Sequence, residues 1–275
     1  MQFYQEEDIQ KFDQVQFVYI KTELADHVFR LILNRPEKRN AFTPTMAQEI
    51  TYALAYAHYT SEVRCVIVEA EGPVFCAGAD LIAFHNQDVD KPNVSLPAIR
   101  EEARLGDAFG QLLKPSIAIV KGPVLAGGFL LICGCTFVIS VPEATFALPE
   151  VKRGIWPMQV MESLTAIIPA RKILEMAVTG KAYTAGEANE MGLLTKVVES
   201  AQIQREADVL AAVICTNAPH AIQSGMKAFQ KLSSVPVDER HRFLKEQLNL
   251  LLLSEDAKEG TAAFREKRDP VWKGK

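Results

Sequence analysis

At 275 residues, 48% hydrophobic and 23% charged, the chain has the material for one large globular body or a body with an appendage. Its net charge of −4 and isoelectric point near 5.8 argue against a nucleic-acid surface as its main business. The acidic stretch from Met1 to Asp8 is not a basic flank followed by an apolar core, and no apolar run reaches the length of a membrane span. A cytoplasmic protein that binds neither membrane nor nucleic acid is therefore expected.

Residues 17–23 and 27–33 alternate well enough to form a pair of strands. Asn34-Arg-Pro-Glu-Lys-Arg-Asn40 is a turn-rich loop, and Thr43-Pro44 opens a helix with Met46, Ile50, Leu54 and Ala57 on one face. Residues 65–70 read as a buried strand, followed by the loop 71–80 and a short helical turn from Leu81. The stretch 85–97 is polar, carries two prolines and is expected to be mobile. An amphipathic helix is expected over 100–113, then strands at 116–120, 136–141 and 144–149. Helices alternate with turns over 165–179, 184–191 and 202–217, and nearly everything from 220 to 267 is compatible with helix.

The five cysteines, Cys65, Cys76, Cys133, Cys135 and Cys215, lie mostly in apolar surroundings and read as reduced core thiols. Cys133-Gly-Cys135 is too close for an ordinary zinc site and has no Cys/His cluster beside it, so no metal is expected.

The stretch with the most chemical content is Gly122-Pro-Val-Leu-Ala-Gly-Gly-Phe-Leu-Leu131, which follows the strand 116–120. A strand–turn–helix whose helix begins on glycines leaves backbone N–H groups unpaired and unshielded by a Cβ. Such a start favours negative charge, including charge that forms only during a reaction.

Four segments taken together, Asn34-Arg-Pro-Glu-Lys-Arg-Asn-Ala-Phe42, Phe75-Cys-Ala-Gly-Ala-Asp-Leu81, Gly122–Leu131 and Leu148-Pro-Glu-Val151, resemble the crotonase (enoyl-CoA hydratase/isomerase) superfamily. Their order and spacing match along nearly the whole chain, and 260–267 is similar to that family's C-terminal helix. The resemblance implies an α/β fold, a spiral of ββα units over residues 1–200, with a helical oligomerisation region over 201–275. It also implies a homotrimer or dimer of trimers and an acyl-CoA thioester as substrate, with no further cofactor. The family's two oxyanion-hole donors fall on the backbone of Ala79 and Gly127. Lys38 and Arg39 lie where the family contacts CoA, with Ala41, Ala77, Asp80 and Leu81 beside them; Phe264 and Lys267 match positions that close over the adenine. Asp80 also reads on its own as a helix N-cap.

Hydratases of the family use two glutamates. The first position is Leu130 here, and no carboxylate replaces it in 129–135; Glu150 occupies the second. One carboxylate suits a reaction that moves a proton between two carbons of one substrate, so the resemblance points to a Δ3,Δ2-enoyl-CoA isomerase with Glu150 as proton shuttle. A hydratase or acyl-CoA decarboxylase of the same fold, and a non-catalytic acyl-CoA-binding protein, are the alternatives. Trp156 and Met158 line either an acyl pocket or the core. His85, Glu143 and Glu162 are further candidates near the site in sequence.

Overall fold

The structure is a computed structural model that describes residues 1–86 and 89–275. A 3₁₀ helix at Glu6–Gln14 leads into β1 (Ile20–Ala25) and β2 (Val28–Leu33), an antiparallel hairpin. Its turn residues Asp26 and His27 both have positive φ, 48° and 67°, the backbone of a tight hairpin turn that follows the strand twist. Next come α1 (Pro44–Tyr59), β3 (Cys65–Ala70), α2 (Leu81–His85) and α3 (Leu105–Gly110). They are followed by β4 (Ser116–Val120), β5 (Val124–Leu125), α4 (Phe129–Gly134), β6 (Phe137–Ser140) and β7 (Thr145–Ala147). The chain continues through α5 (Met158–Thr165), α6 (Ala170–Thr179), β8 (Ala182–Thr184), α7 (Ala185–Glu190) and β9 (Lys196–Val197). Four helices end it: α8 (Ile203–Thr216), α9 (Pro219–Leu232), α10 (Arg240–Leu251) and α11 (Glu255–Glu266).

Two sheets result, one in the order β1-β2-β3-β4-β6-β9 and a smaller one in the order β5-β7-β8. From β4 onward each turn of the chain gives one strand to each sheet: β4 then β5, β6 then β7, β8 then β9. Every pair of the large sheet after the first hairpin is parallel. Parallel strands are covered on both faces, which is why 116–120 is an unbroken buried run without alternation. On one side α8 lies against β3, β4 and β6, burying Ile203, Ala207, Ala211 and Ile214.

Several boundaries differ from the sequence reading. The first strand begins at Ile20, not residue 17, because the N–H groups of Val18 and Tyr19 are taken by the Glu49 carboxylate at 2.8 Å each. The helix expected over 100–113 is confined to Leu105–Gly110: the Arg100 N–H goes to the Phe3 carbonyl at 3.3 Å, drawing 100–104 towards the N-terminal segment. A helix at Met158–Thr165 was not foreseen, and the next begins only at Ala170, since Pro169 cannot continue the first. Of the stretch 85–97, Gln87 and Asp88 lie outside the described residues. Asp90 accepts the Thr45 N–H at 2.8 Å and Asn93 donates to Glu49 at 2.7 Å, so parts of it are tied to α1. All five cysteines are free thiols; Cys65, Cys76 and Cys215 are buried, Cys133 and Cys135 half-buried.

Glu49 is the one fully buried carboxylate of α1, and it serves three donors: the N–H groups of Val18 and Tyr19 and the Asn93 amide. Removing it takes the acceptor from those part-buried donors, at up to about 1–3 kcal/mol each where water cannot replace it. Glu49→Ala is expected to lower the urea midpoint of unfolding with little change in slope, by the equivalent of about 2–4 kcal/mol. A midpoint within error of wild type would mean that the lead-in to β1 is not held this way.

Candidate active site

Three connections converge at one edge of the sheets: 34–43 after β2, 71–80 after β3, and 121–128 after β4. Two side chains knit the first two together. Asn40 is fully buried in a left-handed conformation, φ 51°; its side-chain Oδ1 accepts the Arg35 N–H, and its side-chain amide donates to the Glu71 and Val74 carbonyls, all at 2.8 Å. The Arg35 guanidinium, also buried, donates to the Ala41 carbonyl and to Asp80 Oδ2, each at 2.8 Å, and lies over the Tyr19 ring. The other Asp80 oxygen accepts the Ala83 N–H at 3.3 Å and so caps α2. Burial opposes ionisation of Asp80, but the Arg35 hydrogen bond and the cap outweigh it and hold the carboxyl below its ordinary range.

With the loops fixed, Phe42 and Ala79 form a parallel bridge: the Phe42 N–H donates to the Gly78 carbonyl and the Asp80 N–H to the Phe42 carbonyl, both at 2.9 Å. That pattern leaves the Ala79 N–H facing away from Phe42. The third loop passes closely. Gly78 has φ +91°, and a Cβ there would stand 2.8 Å from the Ala126 Cβ and 3.0 Å from the Gly127 nitrogen. A Cβ on Gly127 would meet the Phe42 ring at 2.9 Å and lie 3.4 Å from the Ala79 nitrogen. Gly127 sits in the first turn of the 3₁₀ helix Ala126–Gly128, where an N–H has no intrahelical acceptor. Among the described residues neither N–H is spent on a protein acceptor, so two neighbouring backbone donors are available together.

They open onto a cavity of about 310 Å³ lined by Phe42, Ala77, Leu81, Phe84, Leu130 and Trp156, among others. Glu150 reaches the same cavity from the 3₁₀ helix Pro149–Arg153, which Pro149 starts and Gly154, at φ 74°, ends. Glu150 is 7% exposed, and its Oε2 makes no hydrogen bond among the described residues. Burial lifts its pKa above the ordinary 4.5, against its own backbone N–H and the positive charge of Arg153. A desolvated carboxylate with an unused oxygen is equipped to take and return a proton.

Of the residues singled out from sequence, Ala77, Ala79, Leu81, Gly127, Leu130, Glu150, Trp156 and Met158 line this cavity. Lys38 and Arg39 do not; they are exposed on the loop rim, and the Arg39 carbonyl accepts the Ala77 N–H at 3.0 Å. Ala41 and Asp80 stand behind the wall, engaged with Arg35. Phe264, 87% exposed, and Lys267 are at the end of α11 and not at this cavity. His85, Glu143 and Glu162 are exposed and do not line it either. Arg35 and Arg153 went unnoticed in the sequence: an arginine in a polar loop looks solvated until its partner or its cavity is seen. No group of acidic, histidine and cysteine side chains that could hold a metal ion is found among the described residues.

Since folding raises the Glu150 pKa, its carboxyl should be half-protonated at a pH above 4.5. Carbon-13 labelling of glutamate side chains, with the resonance assigned by its loss in Glu150→Gln, reads this directly. A midpoint at or below 4.5 would show that the cavity leaves the group solvated.

The family model described as enoyl-CoA hydratase/isomerase matches residues 23–275. Enoyl-CoA hydratase EchA19 of Mycobacterium tuberculosis is 34% identical over 253 residues, covering 90% of this chain and 94% of the relative. Carnitinyl-CoA dehydratase of Escherichia coli K12 is 34% identical over 254 residues, covering 90% and 95%. Among solved structures, a probable enoyl-CoA hydratase/isomerase from Mycobacterium abscessus superposes with a TM-score of 0.81 at 33% identity, covering 94% of this chain and all of that one. Human enoyl Coenzyme A hydratase domain-containing protein 3 gives 0.83 at 26%, with 93% and 100% covered. The alternation of strands between two sheets is thus the crotonase spiral, and the chain belongs to the crotonase (enoyl-CoA hydratase/isomerase) superfamily.

Proposed function

We propose that the protein is a Δ3,Δ2-enoyl-CoA isomerase, and the observation that carries this reading is that, among the described residues, Glu150 alone supplies a carboxylate to the cavity lining. The position from which a second would face it holds Leu130, which is 5% exposed and lines the same cavity. The thioester oxygen of a 3-enoyl-CoA accepts from the Ala79 and Gly127 N–H groups. Glu150 removes a proton from C2; the electron pair of that C–H bond spreads into the thioester and the adjoining double bond as a dienolate. The same carboxyl then returns the proton at C4, and the double bond comes to rest between C2 and C3. No water is consumed. The two donors act on charge that grows as the proton leaves, and each is worth roughly 3–4 kcal/mol of barrier in other enzymes.

A second reading is favoured by the names of relatives such as the hydratase and the dehydratase above: hydration of a 2-enoyl thioester with Glu150 as sole acid–base group. Its weakness is the apolar Leu130 where a second group would steady the water. In either case we take CoA as substrate rather than resident cofactor and assign its phosphates to Lys38 and Arg39, which are exposed on the loop 34–43. We also propose that the protein assembles as a trimer or dimer of trimers through residues 201–275. In support, α10 and the turn after it leave Leu248, Leu250, Leu252 and Leu253 exposed, and α9 and α11 expose Phe229 and Phe264. No helix among the described residues is long and apolar enough to cross a membrane.

Offered trans-3-hexenoyl-CoA in heavy-oxygen water, the protein is expected to give the 2-enoyl thioester without solvent oxygen in the product. Rapid formation of an oxygen-labelled 3-hydroxyacyl thioester from crotonyl-CoA, with the 3-enoyl thioester left unchanged, would replace this reading by hydration. Glu150→Gln should lower kcat by about 10²–10⁴-fold, the usual worth of a general acid–base group. Gly127→Ala pushes a methyl group to 2.9 Å from the Phe42 ring and shifts the amide, and should cost about 10²–10³-fold. Because the base must be ionised, kcat/KM should fall as pH drops through the raised Glu150 pKa and level off above it; an acid limb at or below 4.5 would assign it elsewhere.

A further inference from the structure

The catalytic cavity holds a second charged group that isomerisation of a plain hydrocarbon chain does not use. Arg153 lines it together with Glu150, three residues earlier in the same 3₁₀ helix. In such a helix residues i and i+3 eclipse, so the two side chains rise from one face. They do not pair: Glu150 Oε2 has no hydrogen-bond partner, and the Arg153 guanidinium has no ion pair or side-chain hydrogen bond among the described residues. The other side chains of the lining are apolar apart from Gln159: Ile155, Trp156, Pro157 and Met158 follow Arg153 after one glycine. An unpaired guanidinium, with a flat fork of donors, at the solvent-exposed edge of an apolar wall next to the base is matched to a carboxylate or phosphate arriving with the ligand.

Resting on the isomerase reading, we infer that Arg153 selects acyl groups that carry a free carboxylate at the end remote from the thioester. The alternative anion is a phosphate of CoA itself. It is separated from the thioester by the whole pantetheine arm, whereas Arg153 stands beside the group that works on C2 and C4. A terminal carboxylate on a short enoyl chain lies only a few bonds beyond C4. Pairing there lets the guanidinium fix the chain with C2 and C4 both within reach of Glu150, and leaves Glu150 free of an internal ion pair that would hold its proton-accepting oxygen.

The test compares trans-3-hexenoyl-CoA with the mono-CoA thioester of trans-3-hexenedioic acid, the same chain length with a terminal carboxylate. Wild type is expected to show kcat/KM at least ten-fold higher for the carboxylated thioester, a charge-assisted bidentate contact being worth about that much or more. In Arg153→Gln that ratio should fall by ten-fold or more, mostly through KM, and Arg153→Lys should restore part of it. A misfolded variant would lose both activities together, and so would a contact to a CoA phosphate; a ratio that stays put in Arg153→Gln therefore overturns the inference. So does a wild-type preference for the neutral thioester. If instead neither thioester is isomerised by wild type, it is the isomerase reading that falls, which separates the two failures.

Discussion

The Asn40 side chain is the constraint on which the site depends. Two of its three hydrogen bonds join the loop after β2 to the loop after β3, the third closes its own loop through the Arg35 N–H, and the backbone at Asn40 is itself left-handed. Arg35 completes the join from the other side through Ala41 and Asp80. Only with both loops held does Phe42 line up with Ala79, and only then do the Ala79 and Gly127 amides come together over the cavity. The geometry of two N–H groups is thus secured by buried side chains that do not line the cavity.

Crowding does the rest. Gly78, Gly127 and Gly128 sit where a Cβ would strike Ala126, Phe42 or the Cys76 carbonyl at under 3 Å. Ala126 between them accepts φ 51°, a conformation that costs a residue with a Cβ of order 1–2 kcal/mol and is sustained by its surroundings. The glycines are there because three backbones approach each other, and the exposed amides are a product of that approach.

Much of this could be read from the sequence. The strand–turn–glycine pattern at 116–128, the Pro-Glu pair at 149–150 and the four ordered segments pointed to the fold, and eight of the named site residues, Glu150, Ala79 and Gly127 among them, line one cavity. What stayed hidden depended on contacts between distant parts of the chain. The strand start at Ile20 is decided by Glu49 in α1; the short α3 by a bond from Arg100 to Phe3; the burial of Arg35 by Asp80, 45 residues on. Arg153 escaped notice because nothing in Val-Lys-Arg-Gly says that the third residue of the four turns towards a cavity. Periodicity reports which face of an element is apolar, and it is silent about a 3₁₀ turn of five residues.

The cavity assigns its two electrical tasks to different parts of the chain. In the proposed reaction, holding negative charge falls to main-chain N–H groups at Ala79 and Gly127, which a side-chain replacement other than proline leaves in place, whereas proton traffic and chain selection rest on single side chains at 150 and 153. The charge-holding half is locked by the fold, and the other half is open to exchange one residue at a time. A scaffold divided in this way can change which bond it makes or breaks while its stability, invested in the buried loop contacts, is left almost untouched.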